Sequence, residues 1–223
     1  MAIWITSDLH LNHYNIIKLE HENLVKAGLS HISTIEEYNQ MIVKNINSVV
    51  TPYDTLYILG DAAFGGTDMI KTWISQIHGY KILLLGNHDR CSREQLLQLG
   101  FQEVHSHPMY LPEGCGKVLL SHYPLYEALD NPYIVYNLHG HLHNSKLDLP
   151  NFLNVNIAMH KYMPINFKTL LPQIQNGGKN RREKWLQEWY AAHQVFPSPR
   201  SDIVLGATGH IDFAATEKIT QNH

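Results

Sequence analysis

The chain has 223 residues, of which 44% are hydrophobic, and its formal net charge is −3. This composition excludes a disordered polyelectrolyte and supplies enough apolar residues for a full core, while the weak charge provides no strong field for nucleic acid or membrane surfaces. The two cysteines, the lack of an apolar run of membrane-spanning length and an N-terminus unlike a signal peptide predict a cytoplasmic protein without a disulfide framework.

Apolar runs bounded by glycine or polar residues predict buried strands in chain order. These runs cover residues 3–5, 56–59, 82–85, 118–120, 135–138 and 152–158. Helical spacing of apolar residues predicts helices over 35–49, 69–77 and 93–99. Thr34 and Glu37 match a capping box at the start of the first helix, and Gly100 is a stop signal after the third. Strands and helices that alternate in this way indicate an α/β fold.

Five short polar motifs follow these strands or stand at their ends. They are Asp8-Leu9-His10, Gly60-Asp61, Gly86-Asn87-His88-Asp89, Ser121-His122 and Gly140-His141-Leu142-His143. One histidine beside a strand is more often structural than a ligand, and an isolated Gly-Asp pair is an ordinary turn. The ordered set is different, because loops at the carboxyl ends of strands converge on one edge of a sheet. We therefore predict a site for two metal ions, which is typical of phosphate-ester hydrolysis.

The motif order D-x-H, G-D, G-N-H-D, H-x-P and G-H-x-H resembles the calcineurin-like metallophosphoesterase superfamily over about residues 1–172. The resemblance implies two stacked mixed β-sheets flanked by helices, a four-layer α-β-β-α sandwich. It also implies that a strand and a helix within 163–173 close the domain. We accordingly expect a metallophosphoesterase domain over 1–173 and a C-terminal extension over 174–223.

The resemblance also assigns roles to single residues. It implies that Asp61 bridges two metal ions. It also implies that His88 is the catalytic histidine, which stabilises the charged transition state or protonates the leaving oxygen, and that its neighbour Asp89 orients it. The remaining implied ligands are Asp8, His10 and His143 for one ion and Asn87, His122 and His141 for the other. This mixture of imidazole, carboxylate and amide ligands without thiolate suits Mn, Fe, Ni or Zn better than Mg or Ca, and Mn²⁺ is the favoured ion.

The expected activity is hydrolysis of a small soluble phosphodiester by in-line attack of a metal-bridging hydroxide. The alternatives are a phosphomonoesterase acting on nucleotides or proteins, a nuclease, and a metal-binding scaffold without activity. Residues 60–66 lack the acid and arginine that protein Ser/Thr phosphatases carry after the Gly-Asp pair, which argues against a protein phosphatase. The intact ligand set argues against the scaffold, and the modest net charge argues against the nuclease.

Two further residues are candidates for substrate binding, and for each of them a structural role is an equally good interpretation. His13 follows His10 by three positions and would face the cleft or have a structural role. Arg90 would reach a phosphate oxygen or pair with a nearby carboxylate.

In the extension, residues 176–179 predict a linker, 181–195 an amphipathic helix that contains Trp185 and Trp189, and 196–200 irregular structure. Three roles remain open for it: packing on the core, forming a homodimer, or shaping the cleft. Its basic residues would attract phosphate or simply form a solvated helix face; they are Lys179, Arg181, Arg182 and Lys184.

Overall fold

The computed structural model describes residues 1–112, 117–131, 134–145, 147–149, 151–176, 183–184, 187–188 and 190–192. The chain divides into two compact units, residues 1–183 and 184–223. Of the predicted helix over 181–195, the described residues 183–184, 187–188 and 190–192 are helical. Trp185, Trp189 and the tail from 193 onward lie outside the described residues, as do Lys179, Arg181 and Arg182. Among the residues described, no helix is long and apolar enough to span a membrane.

The first unit contains two mixed sheets. One has five strands in the order β4-β3-β2-β1-β9 and the other has four in the order β5-β6-β7-β8. Pairing is parallel except at β9, which runs antiparallel to β1, and at β5, which runs antiparallel to β6. The strands are β1 Ile3–Thr6, β2 Thr55–Leu59, β3 Tyr80–Leu84, β4 Glu103–His105, β5 Met109–Tyr110, β6 Val118–Ser121, β7 Tyr136–His139, β8 Phe152–Asn154 and β9 Ile165–Asn166.

Helices lie between and after the strands. They are α1 Ile16–Leu19, α2 His21–Lys26, α3 Ile35–Asn47, α4 Thr67–Ile74, α5 Arg93–Gln98, α6 Glu127–Asp130 and α7 Phe167–Asn176. The capping box predicted at the start of α3 is present, because Thr34 accepts from the Glu37 backbone and the Glu37 side chain accepts from the Thr34 backbone. The closing helix α7 runs past residue 173, where we expected the domain to end.

Residues along β2 alternate between two apolar clusters, which shows how the layers are stacked. Leu56 and Ile58 pack with α3, α4 and α5 on the outer face of the first sheet. Tyr57 and Leu59 pack between the two sheets. A third cluster, which includes Leu119, covers the outer face of the second sheet with α6. The expected four-layer sandwich is therefore confirmed.

One sequence expectation was wrong in detail, and two short helices were missed. The run 152–158 is not one strand, because β8 ends at Asn154 and residues Ile157–His160 form a 3₁₀ turn. The cause is local: the Asn156 side chain accepts from the Ala158 backbone N–H and starts the turn. The short helices α1 and α2 were not predicted, since neither is long enough to show a helical period.

Candidate metal centre

Loops at the ends of β1, β2, β3, β6 and β7 meet at one edge of the two sheets. Backbone hydrogen bonds join them, from Asp8 N to Gly60 O at 3.0 Å, from His10 N to Asp61 O at 3.1 Å and from Gly140 N to His122 O at 3.0 Å. All seven predicted ligands lie on these loops. The fold thus brings together residues that are up to 135 positions apart in the chain.

Many of these ligands have a backbone conformation that ordinary residues avoid. Positive φ angles occur at Asp8 (55°), His10 (49°), Asp61 (53°), His141 (67°) and His143 (44°). Left-handed residues other than glycine are uncommon and cost about 1 kcal/mol or more each, so they persist where surrounding contacts hold them. Here the interloop hydrogen bonds supply those contacts.

Two glycines allow the loops to approach each other closely. A Cβ on Gly86 would collide with the Asp61 carboxylate and would lie 2.6 Å from the Asp61 backbone N. A Cβ on Gly140 would collide with the Asp8 carboxylate and would lie 2.7 Å from the Ser7 Cβ. Both positions require glycine because of these contacts and not because of their φ angles.

The first group of potential ligands consists of Asp8, His10 and His143, whose ligand atoms lie within 4.8 Å of one another. His10 is only 4% exposed, yet neither of its ring nitrogens has a hydrogen-bond partner among the described residues. Burial, together with the neighbouring His143, lowers the pKa of His10 to about 2, so the ring is neutral. A buried, neutral and unpartnered imidazole is the form that binds a metal ion.

The second group consists of Asp8, Asp61 and His122, again with ligand atoms within 4.8 Å of one another. The Asn87 Oδ1 atom lies 2.9 Å from His122 Nε2 and 3.1 Å from His141 Nδ1, so both of these residues face the same point. The Nδ1 atom of His122 donates to the Leu59 carbonyl at 2.8 Å, which leaves Nε2 directed at the site.

Asp8 belongs to both groups and is held from two sides. The Ser7 hydroxyl donates to its Oδ2 at 2.5 Å, and the His141 backbone N–H lies 3.2 Å from each of its oxygens. Burial nevertheless raises the pKa of Asp8 to about 6. Two cations there would stabilise the charged form of this carboxylate and so offset the cost of its burial. The oxygen and nitrogen donor set fits divalent ions of the kind the sequence predicts. The bridging role of Asp61 stays a prediction.

Asp89 makes contacts that differ from those expected. Its carboxylate accepts backbone N–H groups from Asp61 and Gly86, both at 2.8 Å, and from Ala62 at 3.0 Å. Burial raises its pKa and these N–H groups partly oppose that rise. Asp89 therefore connects the loop of Asp61 to the loop that carries His88 through backbone N–H groups, and its role as the residue that orients His88 stays a prediction.

His88 lies at the edge of the first group. Its backbone N–H donates to Asp61 Oδ1 at 2.9 Å. Its half-buried ring lies 5.1 Å from the Phe64 ring and 6.2 Å from the His10 ring, measured between centroids. The ring is thus beside the candidate ligands, and its role as the catalytic histidine stays a prediction.

The two candidate substrate-binding residues are placed differently. The His13 ring lies 4.5 Å from Phe64 and 5.6 Å from His10, so it borders the first ligand group. Burial, with His88 nearby, lowers the pKa of His13. Arg90 is exposed, and its role in substrate binding stays a prediction.

Three residues near the site were not found from the sequence. Phe64 stacks on His10 with a centroid distance of 5.5 Å, and the exposed Tyr123 lies 4.3 Å from His141. Tyr123 is the variable position of the H-x-P motif, so its location could have been inferred. Buried Glu20 contacts His143 from far away in the chain, and no motif marks it.

Comparison with known proteins agrees with this picture. A family model described as calcineurin-like phosphoesterase matches residues 1–221, which extends beyond the motifs. The chain is 27% identical over 188 residues to an uncharacterised protein of Methanocaldococcus jannaschii, covering 78% of this chain and 92% of that protein. It is 38% identical over 89 residues to the gene 66 protein of Mycobacterium phage L5, covering 39% of each chain.

A solved structure has a similar fold. It is a protein of unknown function from Aquifex aeolicus, 24% identical in sequence, with a TM-score of 0.55 over 77% of this chain and 98% of that one.

Proposed function

Because this chain belongs to the calcineurin-like phosphoesterase family and is a metal-dependent phosphoesterase, we propose that its substrates are small soluble phosphodiesters. The observation that carries the proposal is the pair of ligand groups that share Asp8. Two such groups on loops at the strand ends are suited to hold two cations close together, which is the arrangement used for in-line displacement at phosphorus.

The chain's own residues would divide the work in the following way. Asp8, His10 and His143 would hold one ion, while Asn87, His122 and His141 would hold the other, with Asp61 between them. Two divalent ions there would supply a water of lowered pKa and positive charge against the phosphate oxygens. We expect Mn²⁺ to support the reaction best.

His88 would protonate the leaving oxygen. Its ring is half-buried beside Phe64 and His10, while its backbone is fixed to Asp61, so its position relative to the ligands is set by the loop. A positioned acid of this kind contributes roughly 10²- to 10⁴-fold to turnover.

The preference for a diester rests on the surroundings of His88. Phe64 packs against His10, His13 and His88, so the edge of the site on the leaving-group side is aromatic. A singly charged diester carries a second ester group that an aromatic edge can contact, whereas a dianionic monoester gains more from a cation at that place. The loop that supplies Phe64 lacks arginine throughout residues 60–66.

The test compares bis(p-nitrophenyl) phosphate with p-nitrophenyl phosphate, using chelator-stripped protein to which Mn²⁺, Ni²⁺, Zn²⁺ or Mg²⁺ is returned singly. We expect metal-dependent hydrolysis with the higher kcat/KM on the diester. A higher kcat/KM on the monoester would replace the proposal with a phosphomonoesterase. No hydrolysis of either ester by protein that binds two ions would instead favour the scaffold.

Variants separate the roles of His88 and Asp61. His88→Ala should lower kcat by roughly 10²- to 10⁴-fold with both ions retained, and Asp61→Ala should lose bound metal. His107→Ala is the matched control, because His107 is an exposed histidine outside the site. Full activity of His88→Ala on an unactivated diester would show that another group protonates the leaving oxygen.

A further inference from the structure

Glu20 is a buried carboxylate that belongs to neither ligand group. It lies at the junction of α1 and α2 and is only 3% exposed. Its Oε1 atom lies 3.2 Å from the Nδ1 atom of His143, a contact that joins residues 123 positions apart. We propose that Glu20 is a positioning residue, which orients His143 for metal binding and thereby strengthens the binding of one of the two ions. The inference rests on the metal centre of the proposed function.

The contacts of Glu20 lead toward the His143 loop. Its second oxygen, Oε2, accepts from the side-chain amide of Asn23, and the same amide donates to the side chain of Asn144. Asn144 directly follows His143, so the α1–α2 junction holds this loop at two consecutive residues. A buried carboxylate requires such partners, because an unpaired one would carry a large desolvation penalty.

The hydrogen bond determines which ring nitrogen of His143 is available. A carboxylate can only accept, so Nδ1 carries the proton and Nε2 keeps its lone pair. The ring stacks on His10 with a centroid distance of 4.9 Å and an interplanar angle of 26°, within the group formed with Asp8. A carboxylate behind a ligating imidazole fixes its tautomer and orientation and makes it a stronger base, and loss of such a partner typically weakens metal binding by 10- to 100-fold.

His143 needs this support because its backbone is left-handed, with a φ of 44°. Asn154 provides a second anchor by donating from its side chain to the His143 carbonyl at 3.0 Å. Asn154 thus holds the backbone of His143, while Glu20 holds its ring. Only the contact with the ring selects the nitrogen that faces the ligand group.

The alternative is a purely structural Glu20 that closes the α1–α2 junction. The two roles differ in whether the effect of changing Glu20 depends on the His143 ring. We would measure Mn²⁺ affinity by competition with a chromophoric chelator, and the melting temperature of the metal-free protein, for wild type, Glu20→Gln, His143→Ala and the double variant. Glu22→Gln is the matched control, because Glu22 lies in the first turn of α2, two residues after Glu20, and its side chain is 82% exposed.

We expect Glu20→Gln to lower the affinity for one of the two Mn²⁺ ions by about 10- to 100-fold and to leave the affinity for the other unchanged. The metal-free variant should still fold. In the His143→Ala background the same substitution should have no further effect on Mn²⁺ binding. Glu20→Asp, which withdraws the carboxylate from the ring, is measured in the same way, alone and together with His143→Ala. If Glu20→Gln does not fold, Glu20→Asp still tests the role of Glu20.

Two results would overturn the inference. One is an unchanged Mn²⁺ affinity in Glu20→Gln, and the other is an equal loss of Mn²⁺ affinity when Glu20→Gln is made in wild type and in His143→Ala. Wild-type protein that binds two ions but hydrolyses neither p-nitrophenyl ester would refute the proposed function alone, because the affinity comparison would still decide the role of Glu20. Wild-type protein that binds no divalent ion would refute both.

Discussion

Replacing Gly86 with alanine should disturb the metal centre from behind. The new methyl group would meet the Asp61 carboxylate and would lie 2.6 Å from the Asp61 backbone N and 3.0 Å from its Cγ. A side chain alone cannot relieve a clash with backbone, so the two loops must separate. Overpacking of this kind costs about 1–3 kcal/mol, while the lost flexibility of the unfolded chain returns about 0.4–1 kcal/mol.

The assay is thermal unfolding in chelator, followed by a count of bound Mn²⁺ ions. A net loss of about 1–2 kcal/mol corresponds to a fall in melting temperature of roughly 2–8 °C for a chain of this size, and displacement of Asp61 should weaken metal binding as well. Gly66→Ala is the control, since a Cβ there meets nothing within 4 Å and φ is −73°. Both variants change the unfolded state equally, and Gly66→Ala also carries a capping cost because Gly66 is the N-cap of α4, so a larger loss in Gly86→Ala reports the native contact. If Gly86→Ala had the same melting temperature as Gly66→Ala and bound the same number of ions, the close approach of the two loops would be refuted.

Three further predictions concern stability away from the ligands. Thr34→Ala removes the side-chain cap of α3 and should cost about 1 kcal/mol in urea unfolding without changing kcat, whereas a change in kcat would show that α3 influences the site. Asn39 is buried, donates to the Asn12 side chain at 2.8 Å and accepts the Asn12 N–H at 3.0 Å, so Asn39→Ala should cost about 1–3 kcal/mol and raise KM by loosening the loop that carries His10. The backbone N–H groups of Ala2 and Thr51 donate to Asp54 and lower its pKa to about 2. This stabilisation is present above about pH 4 and lost toward pH 2, so the stability gap between wild type and Asp54→Asn should narrow over that range, and a gap independent of pH would contradict the assignment.

The fold could be predicted well where a pattern is local. Apolar runs located the long central strands, and the pairing of Thr34 with Glu37 located the start of α3. The 3₁₀ turn at Ile157–His160 could not be predicted, because its apolar residues resemble a continuing strand and only the Asn156 side chain redirects the backbone. Short elements such as α1 and α2 depend on tertiary contacts, since an isolated helix of that length is not stable.

The site shows the same division between local and distant information. Every predicted ligand came from a short motif at a strand end, and the structure gathers all of them at one edge of the sheets. Asp89 belongs to such a motif, yet its contacts with the loop of Asp61 depend on how two strands pair and were not predicted. Glu20 belongs to no motif, because its partner His143 is brought to it only by the complete fold.

The left-handed ligands explain why the centre needs so much support from groups that never touch substrate. Asp8, Asp61 and His143 each combine an uncommon backbone conformation with a side chain that must point at a fixed place. Glycine would relax the backbone at these positions but would remove the ligand, so the strain stays and neighbouring groups must oppose it. Backbone hydrogen bonds between loops, and the Asp89 carboxylate that accepts from two of these loops, do this without entering the site. The geometry of the candidate metal centre is therefore a property of contacts between loops, more than of any single motif.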